Sequence, residues 1–514
     1  MSCDKGNGNS RRLSKVVIVG GGTAGWMAAA ALSRYFDDGR RTITLIESDA
    51  IGTVGVGEAT IPPIRNFNAM LGIGENQFLA ATHGTYKLGI EFVNWGRRGD
   101  RYFHPFGTYG QDLHGIAFHQ LYLRQLAASN RGGPEIAEYS MSSMAAAVGR
   151  FARPAAGARA PLSEIRYAYH FDASLYAAFL RKLAERQGVR RIEGEIVGHK
   201  RHGETGDVLG VKLDNGSDVE GELFVDCSGF RGLLIEEALE TGFEDWSYWL
   251  PMDSAWAIPS RGAASPAPFT RATAHDAGWQ WRIPLQHRTG NGHVFASGYT
   301  DPETARDTLM ANIEGEALAE PRLLRFKTGM RRKAWSHNVV SLGLSSGFLE
   351  PLESTSIHLI QNGIQRLFAL FPDWPVTPAD REEYNRGMRE LYEDVRDFVI
   401  LHYKATQRDD AEFWHHVREM EVPDSLARRM DQWQRRGRVF RENAELFTMP
   451  SWVAVMLGQN IRPEMHDPIA ETLDPAKVNV AMERMRAAYH AAARQLPTHE
   501  RFLRQSGAWH EGAS

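Results

Sequence analysis

Two kinds of apolar run alternate in the first half of the chain. Lys15-Val-Val-Ile-Val19 and Thr42-Ile-Thr-Leu-Ile46 are continuous and of strand length, as strands covered on both faces are. Between them lie Gly20-Gly-Gly-Thr-Ala-Gly25 and an Ala-rich segment, Trp26–Phe36, that reads as a helix. This strand–turn–helix–strand unit is the parallel βαβ that opens a doubly wound, Rossmann-like α/β sheet. Residues 50–64 read as loop, and residues 90–165 are aromatic without a clear sheet pattern, with a loop expected over 137–161. Helical spacing returns over 172–187, where Leu175, Phe179 and Leu183 share a face. Alternating strands then run from Arg191 through Val211-Lys-Leu213, turn at Asp214-Asn-Gly216, and lead to the strand Leu223-Phe-Val-Asp226. More strand pattern occupies 279–299 and 338–343, and a helix is expected over 356–371. Beyond Pro372 long amphipathic helices dominate. The first opens on the N-cap and N1 pair Thr377-Pro378 and carries the stripe Tyr384, Met388, Leu391, Val395 and Phe398.

The composition narrows the class of protein. The chain has 514 residues, 43% hydrophobic and 24% charged, which excludes a disordered chain, a coiled coil and a fibre. Its net charge is −4, and acidic residues surround the basic stretches Arg331, Arg332, Lys333 and Arg428, Arg429, Arg435, Arg436. Those stretches read as solvated faces, and no nucleic-acid partner is expected. No apolar run approaches the ~18 residues of a membrane span. Residues 1–13 lack a signal-type apolar core and read as a frayed tail. Two cysteines, Cys3 and Cys227, make neither a disulfide framework nor a zinc cluster, so a cytoplasmic protein without a metal site is expected.

Gly20, Gly22 and Gly25 form G-x-G-x-x-G between a strand and a helix. The first glycine allows the tight turn, the second lets backbone approach a pyrophosphate, and the third brings strand and helix together. With Thr23 and Ala24 at the positive pole of the helix, the loop is a dinucleotide phosphate site. Glu47, ending the second strand, is placed for a ribose diol. A second segment, Asp226-Cys-Ser-Gly229, resembles the distal Asp-x-x-Gly element of FAD monooxygenase-type proteins, and no second glycine fingerprint offers an NAD(P)H site. FAD is therefore the expected cofactor. The expected layout is an interrupted FAD-binding module over 14–100 and 150–370. A mainly helical substrate-binding portion takes 101–149 and 371–514.

Three further strings carry chemistry. Gly278-Trp-Gln-Trp-Arg-Ile-Pro284 puts Trp279, Trp281 and Ile283 on one face of a strand, either as a bulky pocket wall or as an aromatic core. Gly347-Phe-Leu-Glu-Pro-Leu-Glu-Ser-Thr-Ser356 precedes a helix whose free N–H groups make an anion site, or a capped helix start without a ligand. Lys87 sits among apolar neighbours in Thr85-Tyr-Lys-Leu-Gly89, where a surface lysine is the plainer reading. Together with Gly55-Val-Gly-Glu-Ala-Thr-Ile-Pro62, these strings resemble the flavin-dependent halogenase family over about residues 15–370.

The resemblance implies a two-component enzyme. A separate flavin reductase supplies reduced FAD by diffusion, and oxygen and halide (chloride or bromide) yield hypohalous acid. Lys87 then receives the halogen and directs it onto an aromatic ring. Glu353 would assist by taking the ring proton or by polarising the bound halogen species, and Thr355 and Ser356 occupy the halide positions. Gly57, Glu58, Ala59, Asp226, Gly229 and Leu352 would line the cofactor, and Trp279 and Trp281 would keep organic substrate from the flavin. His104, Phe106 and Trp452 are the candidate substrate walls. Free-tryptophan halogenases carry a Tyr/Glu cluster that clamps the amino-acid head group, whereas residues 443–460 here offer only Glu445 and no tyrosine. An unsatisfied zwitterion binds poorly, so the expected substrate is an indole-type arene without that head group. The alternatives are an FAD-dependent aromatic monooxygenase and a non-catalytic flavin-binding protein. A homodimer is left open.

Overall fold

Val16 to Val19 are buried on both faces, and a six-stranded sheet is built around them. The computed structural model describes residues 11–36, 39–50, 57–129, 133–154, 157, 160–442 and 444–510. Strand Lys15–Val19 lies in parallel between Leu223–Asp226 and Thr42–Glu47, and the latter pairs in parallel with Arg190–Glu193. On the other side Val339–Ser341 joins Leu223–Asp226 in parallel, with the short Trp335–Ser336 at the edge. The sheet carries the helices Thr23–Tyr35 and Ala173–Arg186, the second capped by Asp172, which accepts from the Ser174 and Leu175 N–H groups. The ends of its parallel strands, at Val19, Glu47 and Asp226, open at one edge, where a doubly wound sheet binds its ligand.

A seven-stranded sheet faces that edge. Its order is Arg322–Arg325, Ser254–Arg261, Arg288–Phe295, Gly278–Pro284, Thr270–His275, Gly89–Val93 and Arg101–Pro105. A three-stranded sheet, Gly57–Ala59, Ala168–Asp172 and Thr85–Lys87, bridges the two. The C-terminal portion is helical, as expected. Helix Pro378–Lys404 starts at Thr377, whose hydroxyl accepts from the Asp380 N–H, and it buries Tyr384, Met388, Val395 and Phe398, with Leu391 half-buried. No helix among the described residues is long and apolar enough to cross a membrane.

Several expectations need correction. Arg101–Pro105 is an edge strand of the seven-stranded sheet, not the start of a helical portion. Tyr102 and His104 are buried on one face while Phe103 packs against Phe269 on the other, so both faces are apolar and no alternation marks the strand. The stretch 137–161 is not all loop: Met141–Ala147 is a helix, capped by Ser140 and too short and too evenly buried to show a stripe. The first helix begins at Thr23 rather than Trp26, because the glycine loop itself turns into it. Residues 11–13 do not belong to the expected tail: Arg11–Arg12 pairs with Asp373–Trp374 and Leu13 is buried. Residues 1–10, with Cys3, and Gly55 and Val56 lie outside the described residues.

Two contacts hold the ligand edge. A Cβ on Gly25 would stand 1.9 Å from the Gly20 carbonyl oxygen, so only glycine lets the helix close on the turn. Asp226 is fully buried, and both its oxygens are spent on the following loop. Oδ1 accepts from the Ser228 N–H (2.9 Å) and hydroxyl, and Oδ2 from the Leu234 (2.8 Å) and Ile235 (2.9 Å) N–H groups. Asp226→Asn would turn an amide NH2 toward backbone donors. It is expected to cost on the order of 3 kcal/mol of unfolding free energy, read as a lower denaturation midpoint at unchanged m-value.

Candidate active site

The strand ends, the glycine loop and the aromatic face of the seven-stranded sheet enclose a cavity of about 570 Å³. Gly20, Gly22, Thr23, Ala24, Glu47, Gly57, Glu58, Ala59, Gly229 and Leu352 line it. Nothing stands within 4 Å of where a Cβ on Gly22 would be, and helix Thr23–Tyr35 has no side-chain cap, so its first N–H groups face the cavity. That cradle fits the pyrophosphate of a flavin dinucleotide. Glu47 is held by the Arg191 and Arg181 guanidinium groups through Oε1 and by the Trp26 indole N–H through Oε2. Burial pushes the Glu58 carboxyl up to about 7. Gly25 and Asp226, expected to contact cofactor, lie behind the lining and shape it instead.

Trp279, Trp281 and Ile283 all line the cavity, as their shared face requires. The two indole centroids are 6.2 Å apart. Trp281 lies across its strand partner Gly292, where a Cβ would stand 2.0 Å from the ring.

Lys87, His104 and Glu353 do not line that cavity; they form a second, closed cluster. Lys87 ends strand Thr85–Lys87 and is 0% exposed, and its Nζ donates to Ser354 Oγ at 2.8 Å. Ser354 itself lines the flavin-sized cavity and so links the cluster to it. Its φ of 60° puts a non-glycine residue in the left-handed region, strain that surrounding structure must hold. The register explains the lysine's burial. Thr85, on the same face, bonds His170 Nδ1 (2.9 Å) and the Pro284 carbonyl (2.7 Å), while Tyr86 points away and stacks on Phe151. Burial pulls the Lys87 amine down to about 7 against the opposing pull of Glu353.

Glu353 Oε1 meets two imidazoles, His104 Nδ1 at 3.0 Å and His402 Nε2 at 2.8 Å, the latter a close approach rather than an aligned hydrogen bond. His402 Nδ1 donates to the Phe398 carbonyl (2.9 Å), which orients the ring with Nε2 toward the carboxyl. Burial alone would raise Glu353, but the nearby imidazoles of His104, which is hydrogen-bonded to it, and His402 outweigh it and hold the carboxyl down to about 2.

Aromatic rings surround this cluster. Phe106 lies 5.3 Å from Lys87 Nζ, and Phe398 lies 5.8 Å from His104 and 5.1 Å from Trp452 by centroids. Thr355 is fully buried with an unpartnered hydroxyl, and Ser356 opens helix Ser356–Ala369 on the cavity side. Glu445 is bound by Arg429: Nη1 donates to Oε2 at 3.0 Å, Nη2 to Oε1, and the guanidinium carbon stands 4.8 Å from the Trp452 ring centroid. His402 had no signal in the sequence, because it is one polar residue on a long helix whose partner is remote; Arg429, expected on a solvated basic face, is instead buried against Glu445. Ser354 had one, its place directly after Glu353.

A dinucleotide cradle lined by two tryptophans thus lies beside a closed cluster of Lys87, Glu353 and two histidines. A family model described as "Tryptophan halogenase" matches residues 15–475. The tryptophan 6-halogenase SttH of Streptomyces toxytricini is 36% identical over 498 residues, 91% of this chain and 93% of that protein. Among solved structures, Xcc4156, a flavin-dependent halogenase from Xanthomonas campestris, superposes with a TM-score of 0.92 at 48% identity, covering 96% of this chain and 98% of that one. BrvH, a flavin-dependent halogenase from Brevundimonas sp. BAL3, does so with a TM-score of 0.93 at 46% identity, covering 96% and 99%. The chain belongs to the flavin-dependent tryptophan halogenase family.

The electrostatics of the cluster can be read directly. In a protein carrying ¹³C-labelled lysine, Lys87 is expected to titrate near pH 7, apart from the exposed lysines. Glu353→Gln removes the charge that supports the ammonium form, so the midpoint should fall further. A midpoint unchanged from that of exposed lysines would contradict the burial argument.

Proposed function

We propose that this chain halogenates an indole-type arene lacking an amino-acid head group, taking reduced FAD from a separate reductase and using oxygen and chloride or bromide. The observation that carries the reading is the fully buried Lys87 amine, lying outside the flavin-sized cavity that the two tryptophans line. Bound reduced FAD, together with oxygen, would supply the oxidising equivalent that turns halide into hypohalous acid. The backbone at Thr355 and Ser356, at a helix start without a side-chain cap, would hold the halide.

Trp279 and Trp281 exclude the arene from the cofactor, so the oxidant goes to halide rather than to ring carbon. Neutral Lys87 receives hypohalous acid, either as a hydrogen-bonded molecule or as a haloamine with release of water. Ser354 accepts from the amine and fixes its direction. The ring carbon then takes the halogen, and the ring proton passes to the carboxylate of Glu353. From there it goes to the lysine nitrogen, or to the hydroxide left by hypohalous acid, so that the free amine, or water, and the ionised carboxylate are restored. That carboxylate stays ionised because His104 and His402 hold it so. His104, Phe106 and Trp452 supply aromatic walls for an indole.

The substrate reading rests on Glu445. In the region where tryptophan halogenases clamp an amino-acid head group, this chain's one carboxylate is neutralised by a buried, bidentate arginine. Freeing it for a substrate ammonium would break a desolvated pair, at a cost of about 3–5 kcal/mol.

Reconstitution with a flavin reductase, NADH, oxygen and bromide or chloride should give halogenated indole by mass spectrometry. L-Tryptophan should be turned over roughly tenfold less well or worse. Lys87→Ala should abolish halogenated arene. A hydroxylated product instead would sink the reading in favour of a monooxygenase.

A further inference from the structure

Glu350 plays no part in the chemistry above, yet its side chain is completely buried. One oxygen, Oε2, accepts two hydrogen bonds, from the Trp279 indole N–H at 2.6 Å and the Tyr403 hydroxyl at 2.5 Å. The other, Oε1, has no partner. A carboxyl surrounded by neutral donors is unfavourable in such a place, and burial pushes it up to about 7. An aliphatic side chain would fill the same space without that cost. The acid must therefore act through what it bonds.

The bond to Trp279 is directional. An indole N–H can only donate, so its attachment to Oε2 fixes which edge of the ring points away from the cavity. Trp281, by contrast, is set by packing on Gly292. Tyr403 holds Glu350 from behind and is itself wedged against Trp95, with centroids 5.4 Å apart; Trp95 in turn stands 6.4 Å from Trp279. The preceding residue of the same helix, His402, meets Glu353. Successive helix positions thus hold the two carboxyl groups of one short turn, Glu350 and Glu353, with Pro351 stiffening the backbone between them.

We infer that Glu350 and Tyr403 are positioning residues for the wall: they hold the Trp279 indole in place between the flavin cavity and the lysine cluster, and the Pro351–Glu353 turn ties that wall to Glu353. The inference rests on the halogenase reading for its consequence, since a misplaced wall would let hypohalous acid escape before it reaches Lys87.

The test uses the full-length protein labelled with 5-fluorotryptophan, with the Trp279 ¹⁹F resonance assigned by its loss in Trp279→Phe. In Glu350→Leu and Tyr403→Phe this resonance should shift and broaden. In Glu350→Gln, whose amide oxygen can accept both bonds, it should return toward the wild-type position. With reductase and halide present, halogenation of an added 1,3-diketone scavenger, relative to halogenated indole, should rise roughly fivefold in the first two variants and not in the third, the size set by one lost hydrogen bond. An unchanged resonance in Tyr403→Phe, or a shifted one without extra leak, would overturn the inference. Tyr403→Phe removes a single oxygen and decides the matter if Glu350→Leu does not fold. If the wild-type protein halogenates neither indole nor scavenger, the proposed function fails, and the fluorine signals still decide whether Glu350 and Tyr403 hold Trp279.

Discussion

An amine removed from water gives up its proton more readily, and the interior of this protein is arranged around one such group. Lys87 is closed off on all sides, and what closes it also directs it. Thr85 locks the strand to the Pro284 carbonyl and His170, and Ser354, held at positive φ, offers the amine its one neutral acceptor. The desolvation that lowers Lys87 to about 7 is opposed by Glu353, so the carboxylate is as much a part of the lysine's state as the apolar packing. A burial that served only stability would have no need of either group.

The two glutamates of one short turn show how environment divides identical side chains. Glu353 and Glu350 are both buried and both lie against helix Pro378–Lys404. Imidazoles that can carry charge hold Glu353 down to about 2, whereas an indole and a phenol, which cannot become cations, leave Glu350 raised to about 7. Separating two titratable groups in this way is the physical mark of separate tasks. One carboxyl faces the lysine cluster, and the other bonds the Trp279 indole.

The tryptophan-lined cavity comes from the meeting of two sheets. The parallel sheet supplies a cradle at its strand ends, and the seven-stranded sheet turns an aromatic strand toward it. Neither sheet alone encloses a cavity. The tryptophan strand runs between a glycine-bearing neighbour, against which Trp281 lies, and the turn that carries Glu350.

Local spacing was enough for much of this. The glycine loop, the buried strands, the shared face of Trp279 and Trp281 and the cap at Thr377 depend on neighbours within a few residues, so the chain states them openly. The strand at Arg101–Pro105 was hidden because apolar residues on both faces erase the alternation that marks a half-buried strand. The charge state of Lys87, the imidazoles on Glu353, the arginine that occupies Glu445 and the anchoring of Trp279 by Glu350 and Tyr403 join residues far apart in the chain. Desolvation and hydrogen-bond direction decide those features, and both exist only once the helical portion has closed over the sheets.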